Sequence, residues 1–157
     1  MREPIALDEI AKHEAAKASD GTWTIFDVEL FASFTDMRPT DRGEQPIPYT
    51  EDYLRKVIAR HAARQAEGYL APVHVRHHGE NTSNPRVGQF IPRRVERRTY
   101  EGKPLPILVG DLVGVPDQEY QDLRTGRFPG RSVEVNPHQP EILSLALLPD
   151  EVPFFRF

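Results

Sequence analysis

The chain has 157 residues, of which 38% are hydrophobic and 28% are charged, a composition typical of one soluble domain with a single core. The net charge of −4 argues against nucleic-acid binding, which usually requires a strongly basic surface. Because cysteine is absent, disulfides, thiolate nucleophiles and cysteine-based zinc sites are excluded. No apolar run is long enough to span a bilayer and no signal-peptide core is visible, so we expect no membrane segment.

The first 20 residues are rich in alanine and charge, which predicts a short helix from Leu7 to Ala18. Asp20-Gly21 is a stop signal for that helix. We therefore expect an N-terminal helical arm over residues 1–20, followed by one domain over residues 21–157.

The next segments predict a strand, a loop and a helix. Aromatic and aliphatic residues alternate with polar ones over residues 22–34, which indicates a strand. Residues 36–48 are polar and rich in turn formers, which predicts an exposed loop. Thr50 is the expected N-cap of the best helix in the chain, since Glu51 and Asp52 follow it and suit the helix dipole. Gly68 ends this helix.

Strands dominate the rest of the chain. We predict strands over residues 70–76, 87–91, 106–113, 132–135 and 142–148, and a helix over residues 116–125. The basic run from Arg93 to Arg98 contains Val95 between its charges, which favours a solvated edge strand over a nucleic-acid patch. Because no βαβ rhythm repeats, we expect an α+β, mainly β domain. Its predicted architecture is a small closed or curled antiparallel β-barrel with helices packed outside.

Two serines interrupt the apolar pattern of the last two strands. Ser132 begins one strand, and Ser144 lies within the other, whose continuous apolar run fits a strand buried on both faces. Each hydroxyl can simply satisfy a backbone group. A serine becomes a nucleophile only where a base removes its proton, and His77 is the candidate base. Spacing in the sequence cannot show contact between these two residues.

No motif for metal or nucleotide binding is present. His74, His77, His78 and Glu80 are close in sequence, but alternation along a strand places His74 and His78 on one face and His77 on the other. A zinc site needs three or four ligands converging on one point, and the HExxH pattern is missing. The glycine-rich loops that bind phosphate are missing too. We therefore expect neither a metal nor a cofactor.

Four segments, in their order and spacing, resemble the Mu-type prohead (capsid maturation) proteases of tailed phages, which are relatives of the herpesvirus assemblins. The similarity covers residues 23–155, and no single motif in it is specific by itself. The four segments are YTEDYLRKVIARHA (49–62), LAPVHVRHHGENTSNPRVGQF (70–90), LVGDLVGVPDQEYQDLRTGRFPGRSVEV (108–135) and SLALLPDEVP (144–153).

The resemblance implies an assemblin-like fold with Ser132 as the nucleophile and His77 as the catalytic histidine. The third catalytic residue of the family is a histidine, or in some relatives an acid, at the position that Ser144 occupies in this chain. A serine hydroxyl can accept the imidazole N–H but brings no charge to stabilise imidazolium. By position we take Ser144 as the third catalytic residue. Glu134, which shares a strand face with Ser132, is the next option, and Asp111 and Asp41 are further ones.

The activity implied is that of a serine endopeptidase that cleaves phage scaffold and major capsid proteins during head maturation. It implies a location in the host bacterial cytoplasm, inside the assembling prohead, with no cofactor and a possible homo-oligomer. Two alternatives stay open. One is a catalytically inactive assembly module of the same fold, which the change at Ser144 favours. The other is a small β-rich binding protein that uses the aromatic tail, Phe154 to Phe157, as an interface.

Overall fold

The computed structural model describes residues 12–41, 43–75, 86–126, 130–136 and 138–148. Two helices and nine strands follow one another in this part of the chain. Their order is β1 (Ala15–Lys17), β2 (Trp23–Ala32), β3 (Phe34–Thr40), β4 (Gly43–Tyr49), α1 (Glu51–Ala66), β5 (Ala71–Val75), β6 (Arg86–Tyr100), β7 (Lys103–Val115), α2 (Asp117–Arg124), β8 (Gly130–Asn136) and β9 (Glu141–Leu148). This element content confirms the predicted α+β, mainly β class.

Seven of these strands form one sheet, which we call the main sheet, in the order β1-β2-β7-β6-β5-β9-β8. The other two, β3 and β4, pair with each other as a separate hairpin. Neighbours in the main sheet are antiparallel except β5 and β9, which run parallel. The long connection between β5 and β9 allows this parallel arrangement, since parallel strands cannot be joined by a tight turn.

The predicted antiparallel barrel is wrong. The main sheet curls, so that β2 and β8 approach each other, but in the described residues no backbone pairing joins them. The outer edge of β2 is already used at its start, where Trp23 and Ile25 pair with β1. The sheet is therefore open, and β8 forms one of its edges.

Two local predictions are also wrong. Ala15–Lys17 is a strand paired with β2 where a helix over residues 7–18 was expected, and residues 1–11 lie outside the described residues. Residues 36–48, expected to be a loop, contribute to the β3–β4 hairpin. Pro39, Pro46 and Pro48 lie within these strands, and proline is tolerated there because a two-stranded ribbon consists only of edges. The division into arm and domain stays a prediction.

The strand predicted over residues 22–34 and both helices after it are confirmed. Thr50 caps α1, because its Oγ1 accepts the N–H of Tyr53 at 3.1 Å. The buried face of α1 includes Tyr53, Leu54 and Val57, and the helix lies against β6, β7 and β9. The Tyr53 hydroxyl donates to the Asn136 carbonyl at 2.9 Å, which fixes α1 to the end of β8.

A buried histidine fixes the start of β5. His61 of α1 is 6% exposed, and its Nε2 accepts the N–H of Ala71 at 3.2 Å. Burial lowers the pKa of His61, and the nearby Arg64 and Arg93 lower it further. The imidazole is therefore held neutral, as an acceptor must be. This bond positions the strand that leads towards His77.

Candidate functional site

Three neighbouring strands, β8, β9 and β5, carry most of the residues predicted to form a site. β9 lies between the other two, antiparallel to β8 and parallel to β5. The backbone of Ser132 is opposite Ala146, and Ala146 is opposite His74. One cross-strand row therefore contains Ser132, Ala146 and His74.

One face of these three strands is apolar. Leu145 and Leu147 of β9 and Val73 of β5 belong to the same buried cluster as Leu54 and Val57 of α1. Residues that alternate along a strand point to opposite faces of the sheet. This first face therefore anchors the three strands to the core.

The opposite face of the same strands is polar but still buried. His74 is 8% exposed and Ser144 is 4% exposed, and the small Ala146 lies beside both. Glu134 of β8 is half-buried and opposite Ser144 in the register. We call these residues, His74, Glu134, Ser144 and Ala146, the polar face. Buried polar groups cost free energy unless they are hydrogen-bonded, so such a face requires either a structural or a functional explanation.

The structure describes only part of the predicted catalytic pair. Ser132 is in β8, whereas His77 lies outside the described residues, two positions after the end of β5. Arg131, the neighbour of Ser132, is opposite Leu147 in the register. The assignment of Ser132 and His77 therefore stays a prediction.

The options for the third group lie in different places. Ser144 and Glu134 are opposite each other on the polar face. Asp111 is 7% exposed on β7, and its carboxylate binds Arg93 Nε at 3.0 Å and accepts the Asp27 N–H at 3.2 Å. Asp41 is exposed in the turn of the β3–β4 hairpin. Asp111 is thus committed to an ion pair, and Asp41 belongs to a separate ribbon.

Sequence reasoning treated His74 as an ordinary strand histidine and did not place it near Ser132. The alternation within residues 72–75 shows that His74 faces away from Val73, but no local signal identifies the neighbouring strand. The parallel pairing of β5 with β9 brings His74 into the Ser132 row, and this pairing joins residues 72 positions apart (146 − 74).

The basic run of β6 lies where this strand pairs with β7 only in the described residues, and Arg93, Arg94 and Arg97 are exposed, which confirms the predicted solvated edge. The run also forms an ion-pair network. Each of its four arginines has a carboxylate partner: Arg93 with Asp111, Arg94 with Asp27 and Glu96, Arg97 with Glu51, and Arg98 with Glu29. β6 pairs with β7 along its length and with β5 over residues 86–90. The run therefore connects β6 to β2, β7 and α1.

Glu29 of β2 is the most buried acid of this network, at 2% exposure. It contacts Arg98, and its Oε2 lies 3.3 Å from His13 Nε2. Burial alone would raise the pKa of Glu29, but His13, the backbone and Arg98 outweigh burial and lower the pKa to about 2. Glu29 is therefore a buried carboxylate that stays ionised.

A small cleft with a volume of about 10 Å³ lies between α1 and the start of β9. Arg60 and Arg64 line it, and both contact Glu141 of β9. Arg64 also stacks on the Tyr69 ring, 3.7 Å from its centroid. Since Glu141 already engages both arginines, we assign this cleft a role in attaching α1 to β9.

Neither metal ligands nor membrane-spanning helices are found in the described ranges. No group of three or more histidine and acidic residues there could hold a metal ion; His77, His78 and Glu80 lie outside these ranges. Neither of the two described helices has the length and apolar character needed to cross a membrane.

Comparison with known proteins gives no relative. No family model matches the chain, and no curated protein or solved structure is significantly similar to it. The likeness to prohead proteases therefore rests on the four sequence segments alone.

Proposed function

We propose that the chain is a serine endopeptidase of the prohead type, with Ser132 as the nucleophile and His77 as the base. The observation that supports this most is the register of β8, β9 and β5. The backbone of Ser132 is opposite Ala146, and Ala146 is opposite the buried His74. His74 belongs to β5, the strand that leads to His77. A fully apolar environment there would have argued for a purely structural serine.

In this mechanism Ser132 Oγ attacks the peptide carbonyl while His77 accepts its proton, and His77 then protonates the leaving amine. Backbone N–H groups near Arg131 and Ser132 stabilise the oxyanion. Water releases the acyl group in a second step, with His77 again acting as base.

The substrates are extended segments of phage scaffold and major capsid proteins. β8 is an edge of the main sheet, so an extended peptide can add to it through backbone hydrogen bonds. The enzyme acts inside the assembling prohead, in the host bacterial cytoplasm, without a cofactor.

Reaction with a fluorophosphonate, followed by intact mass measurement, tests this proposal. We expect one adduct on the wild-type protein and none on Ser132→Ala or His77→Ala, because only an activated serine reacts. Ser19→Ala and His138→Ala are the matched controls, since both residues are exposed and outside the site. An adduct that persists in Ser132→Ala would disprove the assignment of the nucleophile.

A second candidate is an inactive assembly module of the same fold. The observation that favours it is Ser144, which is buried and uncharged at the position where the family has a histidine or an acid. A folded wild-type protein that forms no adduct, either alone or with capsid protein present, would support this alternative.

A further inference from the structure

The prolines of the β3–β4 hairpin all lie at one kind of position in its backbone ladder. Thr40 is opposite Gly43, and only two residues connect them. A pair that closes so short a turn exchanges backbone hydrogen bonds, and the pairs beyond it alternate between bonded and non-bonded. Pro39, Pro46 and Pro48 therefore fall at non-bonded pairs, where the N–H of any other residue would point out of the hairpin.

This placement gives the two outer edges of the hairpin different hydrogen-bonding capacity. Within β4, Pro46 and Pro48 leave Glu44 as the one outward backbone donor. On β3, the outward N–H groups of Thr35 and Met37 are both present. Because a strand that adds to an edge needs donors and acceptors at regular spacing, β3 offers the better edge.

The outer edge of β3 is open in the part of the chain that the structure describes. No third strand pairs with the hairpin there. Apart from its base, where Tyr49 is buried in the core, the hairpin makes few contacts with other described elements. Pro46 and Pro48 are exposed along β4, and Asp41 is exposed at the turn. A two-stranded hairpin is marginally stable by itself in water, so a further strand on β3 would stabilise it.

The sequence around Met37 suits a second copy of the same strand. In an antiparallel pair of two β3 strands, outward positions must lie opposite outward positions. A pairing centred on Met37 puts the acidic Asp36 of each copy opposite the basic Arg38 of the other. A pairing centred on Asp36 or on Arg38 puts like charges opposite each other, which is unfavourable. The charge pattern therefore selects the register centred on Met37.

We propose that β3 is a dimerisation edge, on which two copies of the chain join their hairpins into one sheet in the order β4-β3-β3-β4. Met37 of each copy donates to and accepts from Met37 of the other, and each Thr35 N–H donates to the opposite Pro39 carbonyl. The prolines of β4 hinder addition of further strands at the outer edges, so assembly stops at two copies. This inference does not depend on a catalytic role of Ser132.

Sedimentation velocity over a range of protein concentrations tests this edge. Proline at position 37 removes the outward N–H at the centre of the pairing but no hydrogen bond within the hairpin. We expect Met37→Pro to raise the dimer dissociation constant at least about tenfold. Glu44→Pro is the matched control, because it removes an outward N–H from β4 instead and should dimerise like the wild type.

An exchange of charges tests the register. Asp36→Arg and Arg38→Asp each put like charges opposite one another, so each variant alone should dimerise about tenfold more weakly than the wild type. In a mixture of the two variants, opposite charges face each other again at both positions. We therefore expect the two variants to associate with each other about as tightly as the wild type does with itself.

Three results would overturn the proposal. A wild-type protein that stays monomeric at every concentration would exclude a second copy and leave the edge to a strand of another protein. A dimer that Met37→Pro leaves unchanged would show that the copies join elsewhere. If Met37→Pro fails to fold, as seen by circular dichroism, the charge variants still decide, because a mixture without preferential heterodimers would contradict the register.

Discussion

The two halves of the main sheet bury polar groups in different ways. On β2, β6 and β7, the buried acids Glu29 and Asp111 are each paired with an arginine of β6. On β5, β9 and β8, the buried groups are His74 and Ser144, which carry no permanent charge. We call the first set the charge network. His74 and Ser144 belong to the polar face defined above, in which the acid Glu134 is only half-buried.

This difference separates a structural role from a chemical one. A buried ion pair whose partners are both present holds strands in register, and removal of one partner leaves an unpaired charge in the interior. A neutral imidazole and a hydroxyl can each donate and accept hydrogen bonds, whereas an ionised carboxylate can only accept them. We therefore expect substitutions in the charge network to change stability and substitutions on the polar face to change reactivity.

The largest loss of stability should come from Gly110→Ala in β7, at the centre of the charge-network half. A Cβ atom there would lie 2.2 Å from the Ile91 carbonyl oxygen and 2.6 Å from Phe90 Cζ. Because the first contact is with backbone, neither strand can yield cheaply. We expect a loss of about 4 kcal/mol or more, or failure to fold, in chemical unfolding. Gly126→Ala is the control, since its Cβ would meet nothing within 4 Å and only the positive φ is strained. A stable Gly110→Ala protein would show that this half is not tightly packed.

Glu29→Gln should be the next most harmful change. It removes the buried charge but keeps the shape, so Arg98 loses its ionic partner and His13 loses its neighbouring carboxylate. We expect the free energy of unfolding to fall by about 3 kcal/mol. Glu67→Gln, at an exposed acid just after α1, should change it by less than about 0.5 kcal/mol. Equal stabilities of the two variants would contradict the structural role of Glu29.

Glu29 also determines how the stability of the wild-type protein depends on pH in the acid range. The pKa of Glu29 is lowered from 4.5 to about 2 in the folded protein, so its contribution is fully present above pH 4.5. That contribution is lost as the pH falls from about 4.5 to about 2, and it is on the order of 3 kcal/mol. Unfolding measured across this range should show a shallower pH dependence in Glu29→Gln than in the wild type. Parallel curves for the two proteins would refute this prediction.

The smallest effect on stability should come from Ser144→Ala on the polar face. Alanine removes one hydroxyl from a buried position without adding bulk, so the free energy of unfolding should fall by about 1 kcal/mol or less. If the hydroxyl assists the catalytic imidazole, the labelling rate should fall about fivefold, the equivalent of one neutral hydrogen bond. If the variant loses several kcal/mol of stability, Ser144 has a structural role, like the residues of the charge network.

Features set by local sequence were the ones that could be predicted. Thr50 and the two acids after it define the start of α1 through contacts within four residues. β1 was missed because its alanines favour a helix, whereas the pairing with β2 and the His13–Glu29 contact depend on distant residues. The β3–β4 hairpin was missed because its prolines are rare in strands.

In the candidate site too, some features could be predicted from local sequence, and others depend on contacts between distant residues. The serines were visible as polar interruptions of apolar strands, and Ser144 proves to be buried. The place of His74 in the Ser132 row was not visible, because it depends on the parallel register between β5 and β9. The carboxylate partners of the β6 arginines come largely from other elements and were equally hidden from local patterns.

The most direct test of the difference between the two halves is to measure unfolding free energy and labelling rate together in Glu29→Gln and Ser144→Ala. The account predicts that Glu29→Gln loses about 3 kcal/mol of stability but, while folded, reacts at the wild-type rate. It predicts the reverse for Ser144→Ala, with stability within about 1 kcal/mol of wild type and a rate about fivefold lower. A Ser144→Ala protein that is strongly destabilised and labels normally would contradict it, because the polar face would then be a structural feature.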